Sequence, residues 1–383
     1  MSFADFYFSR YNNNPVFFTE KVNVEVEAIV VIPCFDDEFI FQTLESLKNA
    51  NRQNFNIEVI VVINSSENTS EEIVNRNREI YKKLNELKNN YYYGYKLLNI
   101  ILEKIPKKKA GVGYARKTGM DEAVRHFNKI DKKDGIILSL DADTLVKENY
   151  FEIILKNFKK NNNCGGLIFG FQHNYDNNLF SENEIKACKL YEKYLNYYTA
   201  ELETTGFPYY FHTIGSCFGI TGNSYVKVGG MPCRQAGEDF YFLHKLAQTT
   251  KIGKIDEKII FPSPRISNRV PFGTGPTINQ IIKDNFLKVY NHKLFEILKD
   301  FFNLFSYFYL TENIDLEKIP QEIINFVEDI KFLKIIDNCK NNSSTENAFI
   351  KRMFSKFDAF WIIKFLNSFN EHPKLKPERW ILE

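Results

Sequence analysis

The chain has 383 residues, 44% of them hydrophobic, enough to bury a sizeable core as one large domain or two. Its 50 Lys and Arg against 48 Asp and Glu leave a formal net charge of +2, so no chain-wide basic face points to a nucleic-acid partner and any charge signal is local. The six cysteines are scattered with no CxxC pair, which argues against a zinc site and fits reduced thiols in a cytoplasmic protein.

Residues 1–25 read as an N-terminal extension. Its start, "MSFADFYFSRYNNNP", lacks the basic opening and unbroken apolar run of a signal peptide. From Glu27 onward, short apolar runs alternate with longer amphipathic segments. "AIVVIP" (Ala28 to Pro33) and "IEVIVVIN" (Ile57 to Asn64) are β-branched and without polar alternation, the pattern of parallel strands covered on both faces. Between them "DEFIFQTLESLKNA" has helical periodicity, so the three segments form a βαβ unit. The alternation continues through a strand at "LLNIIL", a helix over 113–127, the strand "GIILSL", a helix over 147–160, the apolar "GGLIFGF", and an amphipathic stretch from Ser181 to Glu201. Repeated βα units imply an α/β fold, a mostly parallel sheet with helices on both faces, whose ligands sit beyond the carboxyl ends of the strands. Pro33, Asn64, Asp141 and Asp143 then share one edge. After Pro262 comes the Pro/Gly-rich loop "PSPRISNRVPFGTGP", and from Thr277 a tail of Phe, Ile, Leu and Lys at helical spacing. The expected division is a main domain over 26–276 and a helical region over 277–383. No window reaches the ~18 apolar residues of a membrane span; the most aromatic stretch, "FFNLFSYFYL", is too short.

Four local features can carry chemistry. In "LSLDADT" the carboxylates of Asp141 and Asp143 are two apart on an extended segment and so point the same way, an oxygen pair suited to Mg²⁺ or Mn²⁺. A solvated turn is the plainer reading, and the position at the mouth of a parallel strand favours the metal. In "QAGEDFYFLHKL", Glu238 and Asp239 open a helix, where they serve either as caps or as a general base. In "KIPKKKAGVGYARKTG", Arg116 and Lys117 near a helix start suit a phosphate, the other lysines reading as a solvated turn. In "RISNRVPFGTGP", Arg265 and Arg269 suit bidentate phosphate contacts, with a structural ion pair nearly as good a reading.

The order of these motifs resembles the family 2 glycosyltransferases of the GT-A fold, over Val26 to Pro262. "VVIPCFDDEFIFQTLESL" is similar to that family's first strand and helix, "GYARKTGMDEA" to its ARN-x-G helix, and "LSLDADT" to its DxD motif. "GITGNSYVKVGGMP" is similar to the segment ending in its paired glycines, and "GEDFYFLHKL" to its ED motif. The resemblance implies a nucleotide-diphosphate sugar donor, a divalent cation and an acceptor hydroxyl on a carbohydrate, glycolipid or small molecule. It implies that Asp143 binds the metal and Asp141 the metal or the donor ribose. Asp239 is then the base with Glu238 beside it, Pro33, Phe35 and Asp36 line the nucleoside pocket, and Arg116 lies near the diphosphate or sugar. Two features depart from the family pattern. Asn64 and Ser65 stand where aspartate usually holds the base or ribose, and Lys117 stands where asparagine is usual. No QxxRW motif follows the ED pair, which disfavours a processive synthase of the cellulose type. The expected activity is metal-dependent inverting transfer of a hexosyl group. The alternatives are a retaining GT-A transferase, which needs no base at Asp239, and a catalytically silent nucleotide-sugar-binding module. The lysine-bearing aromatic tail could also dock at the inner face of a membrane to reach a lipid-linked acceptor.

Overall fold

In a computed structural model of the chain, which describes residues 2–11, 15–88, 94–161, 163–176, 178–266, 273–369 and 372–375, the apolar runs become a central eight-stranded sheet. The segment 5–11 forms α1 (Asp5–Tyr11). It is followed by β1 (Ala28–Cys34), α2 (Ile40–Ala50), β2 (Ile57–Ser66), α3 (Glu71–Lys88), β3 (Lys96–Ile105), α4 (Val112–Lys129), β4 (Ile136–Ser139) and β5 (Leu145–Val146). Then come α5 (Tyr150–Lys160), β6 (Cys164–Phe171), α6 (Glu182–Thr204), β7 (Phe218–Thr221), α7 (Gly222–Lys227), α8 (Glu238–Thr249) and β8 (Lys251–Phe261). Every residue of β1 and all but the last of β2 are buried, as runs without polar alternation require.

The strand order is β3-β2-β1-β4-β7-β6-β8-β5. β1 pairs in parallel with β2 and β4, with Val30 opposite Val59 on one side and Leu138 on the other. β2 pairs in parallel with β3, and β6 with β8. β7 is antiparallel to both of its neighbours, and β5 is antiparallel to β8. The sheet is thus mostly parallel with two reversed strands. The reversal of β7 matters for the site: it brings the loop before Phe218 to the same edge as the carboxyl ends of β1, β2 and β4.

The N-terminal segment packs onto α4. Ala4 and Tyr7 are buried, Asn128 accepts from the Ala4 N–H at 2.9 Å, and its amide donates to Asp5 at 2.8 Å. The Tyr7 and Tyr225 hydroxyls each donate to Asp121 Oδ1 at 2.7 Å. Burial, reinforced by the Asp121 charge, raises the Tyr7 phenol far above its ordinary value, so it acts as a fixed donor.

The chain divides into two compact units, residues 1–185 with 213–277, and residues 186–212 with 278–383. The second unit therefore takes in most of α6 as well as the C-terminal helices. These are α9 (Thr274–Asp284), which begins in the first unit, α10 (His292–Asn303), α11 (Phe305–Leu310), α12 (Gln321–Val327), α13 (Asp329–Asn341), α14 (Glu346–Lys356) and α15 (Ala359–Asn367), with the short strands β9 (Leu287–Lys288) and β10 (Lys374–Leu375) paired antiparallel. The aromatic "FFNLFSYFYL" stretch builds this unit's core. The ring of Phe301 lies 5.3 Å from Phe305 and 5.0 Å from Phe357, and Phe357 lies 4.9 Å from Trp361, edge to face. Among the described residues no helix is long and apolar enough to cross a membrane, and none of the six cysteines is in a disulfide, with Cys233 exposed.

Candidate active site

The acidic pair stands in a turn just past the end of β4, not on the extended segment expected from the sequence, because the Thr144 N–H bonds back to the Asp141 carbonyl. Beyond β4 the Leu140 N–H donates to the Val31 carbonyl at 3.1 Å, prolonging the pairing with β1. The Thr144 N–H then closes a turn onto the Asp141 carbonyl at 3.2 Å. The Thr43 hydroxyl pins the Ala142 carbonyl at 2.8 Å. Ala142 and Thr144 are buried, whereas the Asp141 and Asp143 side chains are 35% and 24% exposed, so the two carboxylates do emerge on the open side. Each meets an arginine.

Arg116, on the second turn of α4, is 2% exposed. One of its terminal nitrogens lies 2.5 Å from Asp141 Oδ1 and the other is bonded to Glu238 Oε1, so a single guanidinium joins the acidic pair of β4 to the acidic start of α8. Burial by itself would lower the Arg116 pKa, but the Glu238 and Asp141 charges outweigh it and hold the group above its ordinary value. Space for the guanidinium exists because residue 215 is glycine: a Cβ there would fall 2.6 Å from Arg116 Nη2. Gly237, with φ of 71°, makes the left-handed turn that starts α8. Glu238 is buried, and desolvation raises its pKa against the pull of Arg116. Asp239 beside it is half-buried; desolvation first, and then the Glu238 charge, push its carboxyl up to about 7, opposed by Arg116 and by the Phe240 N–H, 2.7 Å from Oδ1.

The second arginine is Arg265, just beyond β8. Its Nη2 is bonded to Asp37 Oδ2 and lies 2.8 Å from Asp143 Oδ2, while Nη1 lies 3.1 Å from Asp37 Oδ1. The guanidinium also sits 5.0 Å from the centre of the Phe39 ring. Asp37 is 3% exposed and accepts from the Phe39 N–H at 3.2 Å, so it belongs to the turn between β1 and α2. Sequence reasoning did not single it out; its adjacency to Asp36 at the end of β1 was the available signal.

The other expected residues are distributed as follows. Pro33 is buried at the end of β1, and Phe35 is half-buried just past it. Asp36, with φ of 50°, is gripped by Arg76 through Nε at 2.6 Å and Nη2 at 2.9 Å, and its N–H donates to Asn77. Asn64 and Ser65 are buried at the end of β2, and the Asn64 amide donates to the Gly111 carbonyl at 2.9 Å, tying β2 to the start of α4. Lys117 does not join Arg116. Its ammonium donates to the Tyr7 hydroxyl at 2.7 Å and pairs with Asp121 at 3.0 Å, in the cluster that anchors α1. Arg269 lies outside the described residues. Among those residues no group of three or more His, Cys, Asp or Glu side chains is disposed to hold a metal.

A mostly parallel α/β sheet with an acidic pair at the mouth of a central strand, facing an acidic helix start, defines the GT-A class of fold. The sequence pattern described as "Glycosyl transferase family 2" matches residues 29–225, more than half of the chain, and the chain belongs to that family and is a glycosyltransferase. No curated protein sequence matches it. Among solved structures it is similar to S. aureus TarS 1–349 in complex with UDP-GlcNAc, at 12% identity and a TM-score of 0.43, covering 86% of this chain and 91% of that one. It is also similar to the mannosyltransferase PcManGT from Pyrobaculum calidifontis in complex with GDP-Man and Mn²⁺, at 12% identity and a TM-score of 0.40, covering 95% and 85%.

Proposed function

We propose that this glycosyltransferase moves a hexosyl group from a nucleotide-diphosphate sugar to an acceptor hydroxyl, with a divalent cation and inversion at the anomeric carbon. The observation that carries the reading is the buried Arg116 bridge, which places the Asp141 and Asp143 edge and the Glu238 and Asp239 helix start within one guanidinium of each other.

The residues fit a divalent cation on an observation of charge: a guanidinium nitrogen already stands 2.8 Å from Asp143 Oδ2. Asp143, with Asp141, would hold Mn²⁺ or Mg²⁺, which when bound supplies neutralisation of the charge on the departing diphosphate. Arg116 fixes the direction of Asp141 and ties it to Glu238. Asp239 takes the proton from the attacking hydroxyl, and a carboxyl lifted towards neutrality is better matched to that task than an ordinary aspartate. Pro33, Phe35 and Asp36, with Asn64 and Ser65 behind them, form the side of the edge assigned to the nucleoside. The acceptor is a carbohydrate, glycolipid or small-molecule hydroxyl.

The test is transfer from a nucleotide-sugar panel with Mn²⁺ by wild type, Asp143→Ala and Asp239→Asn. Loss of a general base lowers turnover by about 10²- to 10⁴-fold. Wild-type rates in both variants, with the true acceptor, would refute the assignment.

A further inference from the structure

We propose that a basic surface beside Asp239, formed by Lys107, Lys108, Lys109 and Arg234, binds phosphate groups carried by the acceptor, so that the hydroxyl is presented by a phosphate-bearing chain. The inference rests on the donor and base reading above and names the chemistry of the acceptor. The lysines follow β3 in a turn where the Lys109 and Ala110 N–H groups both donate to the Pro106 carbonyl, at 2.7 and 3.1 Å, and all three are exposed. Alone they are a solvated turn. The fold adds a fourth exposed cation, Arg234, from the loop before α8. That loop lies flush on the lysine turn and on the start of α4, within one compact unit. The Gln235 amide donates to the Lys107 carbonyl at 2.8 Å, and the Gly113 N–H donates to the Arg234 carbonyl at 3.2 Å. Two glycines permit the approach: a Cβ would fall 2.9 Å from Gln235 Cα at Gly111, and 2.4 Å from the Arg234 carbonyl oxygen at Gly113.

Charge selects the ligand. The exposed Glu67 carboxylate accepts from the Lys107 N–H at 3.0 Å, a backbone contact that leaves the ammonium groups to solvent. Among the described residues neither the three lysines nor Arg234 enters an ion pair, so the surface keeps a positive excess that attracts anions. The Arg234 guanidinium carbon stands 3.5 Å over the centre of the Tyr241 ring. Stacking occupies the face of the guanidinium and leaves its N–H fork in plane for a bidentate phosphate, while the ammonium groups add point charges for further phosphates. Position selects the substrate. Tyr241 lies in the first turn of α8, two residues after Asp239, so this surface and the base share one helix start. A membrane is the poorer partner, because among the described residues none of the exposed large hydrophobic side chains comes from 104–117 or 232–241, and an interfacial contact inserts such groups.

The experiment measures binding of an end-labelled linear polyphosphate to the full chain by fluorescence anisotropy at low salt. It compares wild type, Arg234→Gln, the combined Lys107→Gln, Lys108→Gln and Lys109→Gln variant, and a charge-matched control. The control combines Lys156→Gln, Lys159→Gln and Lys160→Gln, three exposed lysines of α5. Circular dichroism melts confirm that each variant is folded, and the lysine variant, altered only at exposed side chains, serves if Arg234→Gln is not. On the same chains calorimetry measures binding of uridine or guanosine diphosphate with Mn²⁺, and co-sedimentation measures binding to phosphatidylcholine vesicles with and without phosphatidic acid. The lysine variant is expected to bind polyphosphate about tenfold more weakly, the order expected when three exposed ion contacts are lost, and Arg234→Gln several-fold more weakly. The control and the nucleotide affinities of all variants are expected to match wild type. The proposal is overturned if wild type does not bind polyphosphate, or if the control loses as much as the lysine variant. It is also overturned if the variants lose nucleotide affinity in step, which assigns the cations to the donor, or if they lose vesicle binding in place of polyphosphate binding, which assigns them to a membrane. If wild type binds neither nucleotide, the donor reading fails and takes this proposal with it. If it binds nucleotide but not polyphosphate, only the acceptor inference fails.

Discussion

Replacing Arg116 by alanine removes a guanidinium that is 2% exposed and bonded to both Asp141 and Glu238. Taking one partner from a buried ion pair costs about 3–5 kcal/mol because the remaining charge is left uncompensated. Two releases limit the cost here. Asp141, 35% exposed, can rehydrate, and Glu238, whose pKa is already raised by burial, can take up a proton. The lower end, about 3 kcal/mol, is therefore expected, or about 6–12 °C in the melt of the unit that carries it, at 2–4 °C per kcal/mol for a unit of this size. The pH dependence follows from the sign of the shifts. A carboxyl whose folded pKa is raised is favourable to folding in its neutral form, and that contribution is lost as pH rises through the folded value. Without Arg116 the Glu238 and Asp239 carboxyls rise further, so the gap between wild type and Arg116→Ala widens above neutral pH and narrows towards the ordinary carboxylate range. Differential scanning calorimetry from pH 5 to 9 measures it. A gap under about 2 °C, or one flat with pH, would refute the reasoning.

Gly215→Ala places a methyl group 2.6 Å from Arg116 Nη2, so the guanidinium must move; misplacement on the order of 1 Å in a catalytic array costs about 10²-fold, and kcat/KM is expected to fall by that factor with a smaller loss of melting temperature than Arg116→Ala. Unchanged kcat/KM would contradict the bridge. The pH profile of kcat/KM is expected to rise with pH through about 7, the value at which Asp239 becomes the ionised base, and a limb near 4, as for an unperturbed aspartate, would contradict the desolvated setting.

Much of this was legible in the chain because strand burial and alternation are local. The β-branched runs of β1 and β2 and the helical spacing of α4 need no distant partner to be recognised, whereas the Asp141/Asp143 pair, expected on an extended segment, stands in a turn closed by the Thr144 N–H. The reversed strand β7 was not legible: four residues, "FGIT", are too few to show a period, and their direction is set by pairing with β4 and β6. The arginine contacts were hidden for the same reason, since Arg116 meets Glu238 across 122 positions and Arg265 meets Asp37 across 228. Asn64 and Lys117 both depart from the family pattern. In the fold Asn64 holds the Gly111 carbonyl and Lys117 holds Tyr7 and Asp121, contacts that give each a structural reason to differ.

The most direct test of the account follows the anomeric proton by NMR while the enzyme turns over nucleotide sugars with Mn²⁺, reading the configuration of the first product before it equilibrates. Inverting transfer through Asp239 predicts a product opposite in anomeric configuration to the donor, and no such product from Asp239→Asn. A product of retained configuration, or turnover undiminished in that variant, would contradict it.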